Sequence, residues 1–512
     1  MPHLRSAFVV AVTLNLLPAS AQAQEVVRDS GALPPPPVVT QHAIQIRGQR
    51  LRYMATVGYM PIESEEGELR ARMFFIAYTL DGVSDVSRRP LTFAFNGGPG
   101  SSSVWLHLGA IGPRRVAMTE EGEAPPPPYR LVDNEGTWLP FTDVVFIDPV
   151  LTGYSRPAPG VEKSEFHGVE EDVESVGEFI RLYTTKYERW SSPKFLAGES
   201  YGTTRAAGLS RYLQDREGMY LNGIVLISTA LDFGALRFDP NNDLPFILIL
   251  PSYTATAWYH GQLDEELQGR ELEDLLAEVR KFALEEYALA LLRGADLPAD
   301  ARRSMAERLA HYTGLSEEFI EDANLRVELS RFTKELLRDE GRTVGRLDSR
   351  FKGMDRDDAG ESYEYDPSYA AIQGPYTATL NSYVREELGF ENDLTYEILT
   401  GRVRPWNWGS AGEGYVSVTE GLRQAMSQNP ALRVLVANGY YDMATPFFAT
   451  EYVFDHLGGD ASLQERIGQT YYRSGHMVYI RRASLLRLTE NVERFMRAAV
   501  GAGEEVTATD GR

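Results

Sequence analysis

The sequence predicts an α/β protein, with a mostly parallel central sheet and an inserted helical cap. Three observations carry that expectation. Short apolar runs ending in loops recur at residues 91–95, 144–147, 195–197, 224–228 and 434–437. Helical stretches, such as 169–183 and 203–213, lie between several of them, which is the alternation of a sheet built from strand–helix units. After about Phe233 the pattern gives way to a charged, helix-rich block at 261–345 before the last of these strands.

Composition bounds the function. The chain has 512 residues, of which 43% are hydrophobic, so it can bury a large core. Its length fits two to four domains, or one large domain with an insertion. A net charge of −22 makes nucleic acid and anionic membrane poor partners, since both would be repelled. With no cysteine, disulfides, thiolate metal sites, iron–sulfur clusters and a cysteine nucleophile are excluded.

Residues 1–23 have the form of a secretory signal peptide: Arg5, then an apolar run from Ala7 to Leu17, then Ala21-Gln22-Ala23 with cleavage expected after Ala23. The apolar run is too short to span a bilayer, which needs about 20 residues. No later run is longer, so no integral membrane segment is expected after cleavage, and the address is secreted or periplasmic. Residues 24–41, with Pro34 to Pro37, read as an extended Pro-rich arm. From 42 to 79 the text is strand-like, with Ile44, Ile46, Leu51, Tyr53 and Ala55 alternating with polar residues. In the charged block, Leu272, Leu275, Leu276, Val279 and Phe282 form one apolar helix face. Asp355 to Gly360 resembles a calcium loop, but Ala359 occupies a ligand position and Asp366 replaces the closing Glu, so a solvated loop is expected. A helix at 485–500 and a polar tail at 504–512 end the chain.

The chemistry concentrates at Gly198-Glu199-Ser200-Tyr201-Gly202, between an apolar strand and a helix rich in small residues. Such a G-x-S-x-G turn is a nucleophile elbow, which lifts a serine hydroxyl clear of the sheet at a helix N-terminus. Serine needs a base, and in this arrangement the chain order is Ser, acid, His. Of the eight histidines, His456 sits at a helix end and reads as a dipole partner. His476 lies in a glycine-flexed loop after a late strand, where the base belongs. Asp442, just past the strand at 434–437, supplies the acid. The loop Asn96-Gly97-Gly98-Pro99-Gly100 leaves another strand and can expose backbone N–H groups, with those of Gly98 and Tyr201 expected to hold an oxyanion. A phosphate loop does not fit, for no G-K-[ST] or G-x-G-x-x-G follows.

With these motifs in place, the chain resembles the serine carboxypeptidases, the group of carboxypeptidase Y and cathepsin A. The matching stretches are Phe95 to Ser103, Gly112-Pro113, Asp143 to Ser155, Gly198 to Gly202, Gly439 to Asp442 and Gly475-His476-Met477, in family order. The resemblance implies an α/β-hydrolase fold and release of C-terminal residues from peptide substrates, without a metal or organic cofactor. It makes Ser200 the nucleophile, His476 the general base and acid, Asp442 its orienting partner, and Gly98 and Tyr201 the oxyanion hole. The catalytic domain would comprise 42–235 and 426–503, and the cap 236–425. In the family the substrate's carboxylate is held by an Asn, a backbone N–H and two Glu sharing a proton. Asn96, Gly97 and Glu199 occupy three of those positions, but the second Glu is Ala110, a usual Trp is Ala94, and a usual Cys, often in a disulfide, is Ser101. An incomplete carboxylate site leaves an esterase, amidase or acyltransferase open as the alternative, with a non-catalytic binding protein as the third reading.

Overall fold

A computed structural model describes residues 33–46, 48–412 and 415–501. The expected signal peptide and the polar tail lie outside the described residues. Nine strands form the path of the main sheet. They are β1 (Val38–Ile46), β2 (Gln49–Glu63), β3 (Leu69–Leu80), β4 (Leu91–Phe95), β5 (Asp143–Ile147), β6 (Lys194–Ser200), β7 (Gly223–Thr229), β8 (Arg433–Gly439) and β9 (Ile467–Tyr472). Their order is β1-β2-β3-β5-β4-β6-β7-β8-β9, and the two-residue strand Arg156–Pro157 pairs with β3. From β5 to β9 every neighbour is parallel. The β1–β2, β2–β3 and β3–β5 pairs are antiparallel.

Residue patterns account for this division. Residues of β1 alternate between exposed and sheltered positions, as in a strand with one wet face. Strands β4, β5 and β7 are buried along their whole length, because helices cover both faces of the parallel part. The fold is the α/β hydrolase fold. β1 begins at Val38, so the last residues of the stretch expected as a Pro-rich arm are a sheet edge; Val38 to Gln41 pair in register with Met54 to Val57.

One hydrophobic core lies under α1 (Val169–Lys186) and α2 (Tyr201–Glu217) and continues without interruption into the helical block. There α3 (Leu244–Tyr259), α4 (Leu272–Phe282) and α5 (Ala299–Thr313) share it, and the five apolar residues expected on one face of α4 are all buried. The second core lies on the opposite sheet face. It includes Ile372, Tyr376, Leu380 and Tyr383 of α6 (Pro367–Glu386), packed with Phe74, Tyr78 and Phe146 of the sheet. The stretch 236–425 therefore divides between two cores, because α6 carries its own apolar stripe and returns to the sheet. Asp355 also departs from expectation. Its carboxylate is 3% exposed and paired with the equally buried Lys334 ammonium at 2.7 Å, whereas Arg356 to Gly360 are exposed. A buried ammonium requires such a partner.

Candidate active site

Strand β6 ends at Ser200, whose φ of 60° and ψ of −131° lie outside the regions that side chains ordinarily adopt. Surrounding contacts hold that strain. A Cβ on Gly198 would fall 2.2 Å from the Gly202 carbonyl oxygen, so the turn closes only with glycine there. The Thr203 hydroxyl donates to the Ser200 carbonyl at 2.7 Å and accepts from the Ala230 N–H at 2.8 Å, locking the elbow to the end of β7. Within Gly198 to Gly202, Ser200 alone is not fully buried.

The glycine loop after β4 meets the start of α2. Gly97 packs so closely that a Cβ would lie 2.3 Å from the Tyr201 nitrogen and 2.6 Å from that of Gly202. This brings the Gly97-Gly98 backbone to a helix N-terminus, where unpaired N–H groups and the helix dipole favour negative charge. Behind the contact, Arg205 of α2 donates to the Asn96 carbonyl at 2.6 Å and to both Asp172 oxygens at 2.7 and 3.1 Å. This pair is almost wholly buried, and the guanidinium also lies over the Phe95 and Tyr201 rings. The loop is thus anchored by an ion pair that no motif announced.

On the far side of β7, Asp442 and His476 meet. The Asp442 carboxylate is fully buried and satisfied by four donors. Oδ1 accepts from the N–H groups of Ala444 and Thr445, at 2.8 and 2.9 Å. Oδ2 accepts the Thr445 hydroxyl at 2.6 Å and His476 Nδ1 at 2.8 Å. With the Nδ1 proton committed to Asp442, the imidazole presents its lone pair at Nε2. Burial disfavours the imidazolium, but the Asp442 charge and hydrogen bond outweigh it, so the pKa of His476 lies above the ordinary 6.5. The loops that carry Asp442 and His476 touch directly: a Cβ on Gly439 would meet the Gly475 carbonyl oxygen at 2.2 Å. Ser228, at a bulge in β7 beside the Thr229–Ser200 pairing, donates to the His476 carbonyl at 2.6 Å.

Two further residues clamp these loops. The Asp348 carboxylate accepts the Gly475 N–H at 3.0 Å and a two-pronged contact from Arg350, at 2.9 and 2.7 Å. Around them, Leu347 accepts the His476 N–H and Tyr441 accepts the Ser349 N–H. No sequence signal marks Asp348, Arg350 or Ser228, since each acts on a segment remote in the chain. His456 caps the helix Phe447–Asp455 and bonds the Tyr452 carbonyl, away from these contacts.

Glu199 precedes the elbow serine and is 3% exposed; burial pushes its carboxyl up to about 7. Asn96 is 1% exposed, and its Oδ1 accepts the Leu106 N–H at 3.0 Å. Ala94 and Ala110 are both buried completely. Ser101 stands on a strap formed by residues 398–400. Its hydroxyl lies 2.9 Å from the Ser102 carbonyl and 3.3 Å from that of Ile398 and accepts from Trp105 Nε1, while the Ser102 N–H donates to the Ile398 carbonyl and the Thr400 N–H to that of Gly100.

A family model described as serine carboxypeptidase matches residues 47–489. The chain belongs to the serine carboxypeptidase family. Among curated relatives, the pheromone-processing carboxypeptidase KEX1 of Yarrowia lipolytica is 30% identical over 182 residues, covering 32% of this chain and 28% of that protein. The Saccharomyces cerevisiae protein of the same name is 31% identical over 210 residues, covering 37% of this chain and 27% of that one. The chain thus matches little more than a quarter of the length of these relatives. The crystal structure of a prohormone-processing carboxypeptidase from Saccharomyces cerevisiae aligns over 87% of this chain and 91% of its own, with 18% identity and a TM-score of 0.52. That likeness establishes the shared α/β hydrolase fold. Among the described residues, no helix is long and apolar enough to cross a membrane.

Proposed function

We propose that this serine carboxypeptidase family member is an exported peptidase that removes C-terminal residues through an acyl-enzyme on Ser200. The observation that carries the reading is the buried Asp442–His476 pair at 2.8 Å, tied by Ser228 to the strand beside the strained Ser200 elbow. In this scheme His476 Nε2 takes the Ser200 proton as Oγ attacks the scissile carbonyl. The resulting oxyanion is held by the Gly98 and Tyr201 N–H groups. His476 then gives the proton to the leaving amine, and the C–N bond breaks. Water repeats the cycle on the ester, releasing the acid and restoring Ser200. Asn96, Gly97 and Glu199 receive the carboxylate of the departing residue. The signal-like sequence at 1–23 supports a secreted or periplasmic address.

Replacing Ser200 with Ala removes the nucleophile. The variant is expected to lose fluorophosphonate labelling and turnover of blocked peptides, and retained turnover overturns the assignment. Ala110, where the family has its second Glu, favours one other reading, an esterase, amidase or acyltransferase with the same triad. Mass spectrometry of digests separates them: stepwise loss from the C-terminus supports the peptidase, and ester cleavage with intact peptides supports the alternative.

A further inference from the structure

We propose that Tyr479 takes over the positioning role of the missing second carboxyl, orienting Glu199, which burial keeps as the acid that recognises a peptide's C-terminal carboxylate. The inference deepens the carboxypeptidase reading and rests on it. Tyr479 is a positioning residue, acting through Glu199.

The geometry begins at the wide helical turn His107–Ile111, which contains Ala110. Its neighbour Gly109 lies against the Tyr479 ring, so closely that a Cβ would fall 2.5 Å from Cε2 and 2.7 Å from the Tyr376 hydroxyl. Ala110 itself is buried in the core that holds both rings, so this turn sends no carboxyl toward Glu199. Tyr479 follows His476 by three positions, so the loop that carries the base also delivers this phenol. Its hydroxyl donates to Glu199 Oε2 at 2.5 Å, and both side chains are almost wholly buried. Asn96 completes the cluster. With Oδ1 occupied by the Leu106 N–H, its amide nitrogen is the group left to face Glu199 and Tyr479.

A neutral carboxyl that accepts a phenol proton on Oε2 carries its own proton on Oε1. That proton is the donor a substrate carboxylate requires. Two glutamates at such a site must share a proton, because both cannot ionise together. A phenol and one glutamate have no such conflict, and the pair fails only when Glu199 itself ionises. The titratable groups facing Glu199 are His476, Tyr479, Asp442 and Tyr376. Burial is the main influence, and it places the carboxyl's transition near 7. The predicted behaviour is recognition of a free C-terminus up to about neutral pH, lost above it.

The test compares a blocked dipeptide bearing a free C-terminal carboxylate with its C-terminal amide, across pH 4–9, for the wild type and Tyr479→Phe. The variant is expected to lose about 10-fold in kcat/KM on the free acid, mainly through KM, and little on the amide. Because the phenol's hydrogen bond favours the Glu199 carboxylate, its removal also moves the alkaline limb of the free-acid profile upward. Equal losses on both substrates, or none on either, overturn the role of Tyr479. If Tyr479→Phe fails to label with fluorophosphonate, isosteric difluorotyrosine at position 479 replaces it. A more acidic phenol moves the same limb downward, and an unmoved limb rejects the proposal. A wild type that does not distinguish acid from amide overturns the carboxypeptidase reading itself.

Discussion

At the scale of single residues, the Asp442–His476 contact sets both tautomer and pH range. Asp442→Asn leaves the shape of the site but presents an amide to Nδ1, favouring the wrong tautomer. A loss on the order of 10⁴ in kcat, with KM little changed, is the outcome expected from steady-state kinetics, by analogy with serine-protease triads. As the proposed base, His476 must be neutral to act, and its pKa lies above 6.5. Ester hydrolysis should therefore rise with pH through a single limb centred above 6.5 and then level off. Peptides with a free C-terminus should add a falling limb near 7, where Glu199 loses its proton. Paired pH–rate profiles check both, and a falling limb on the ester would contradict the assignment of that limb to Glu199. Ser200, Asp442 and His476 were legible in the sequence because each sits in a short motif whose local geometry imposes its composition. Arg205, Asp172 and Tyr479 were not, since their meaning lies in partners brought together only by the fold.

Among elements, the most informative is the short segment from Arg346 to Arg350, which clamps the acid and base loops against each other. Removing one member of a buried ion pair leaves the other charge stranded, at a cost of about 3–5 kcal/mol. Asp348→Ala should destabilise the fold by less than that, since Arg350 keeps its contact with Glu121, and should lower the thermal midpoint and reduce kcat more than KM, because the loops that carry His476 and Asp442 lose their common anchor. Calorimetry and kinetics on the same preparation test this, and an unchanged kcat in a folded variant would reduce the clamp to a stability element. The parallel strands were readable because burial on both faces demands unbroken apolar runs. The cap helix α4 was readable because its stripe has helical period. The return of α6 to the sheet was hidden: an apolar stripe announces that a helix will be buried, but not against which partner. Asp355 departs from expectation for a related reason, since it lies in a loop and its ammonium partner Lys334 on the helix Leu329–Glu335.

For the whole molecule, two buried carboxyls link stability to acidity. Asp148 in the second core accepts the Ser103 N–H, and burial pushes it up to about 7, as it does Glu199. Both groups bind protons more tightly when folded than when unfolded. Their contribution is greatest at acidic pH and declines as pH rises from the ordinary carboxylate range toward 7, at no more than about 1.4 kcal/mol per unit for each. Denaturant melts between pH 4 and 8 should show this decline, and Asp148→Asn should flatten it. The helical block is fastened to the segments around β8 and β9 by Arg280 with Glu451 and by Arg473 with Glu273, the latter beside the His476 loop. The glycine loop is fastened by the Ser101 hydroxyl to the 398–400 strap. That serine stands where a half-cystine is usual in the family, so the loop beneath the proposed oxyanion site has a single covalent form. Its assembly waits on no oxidant, and a reducing buffer that would loosen a disulfide-tied relative should leave this chain's turnover unchanged.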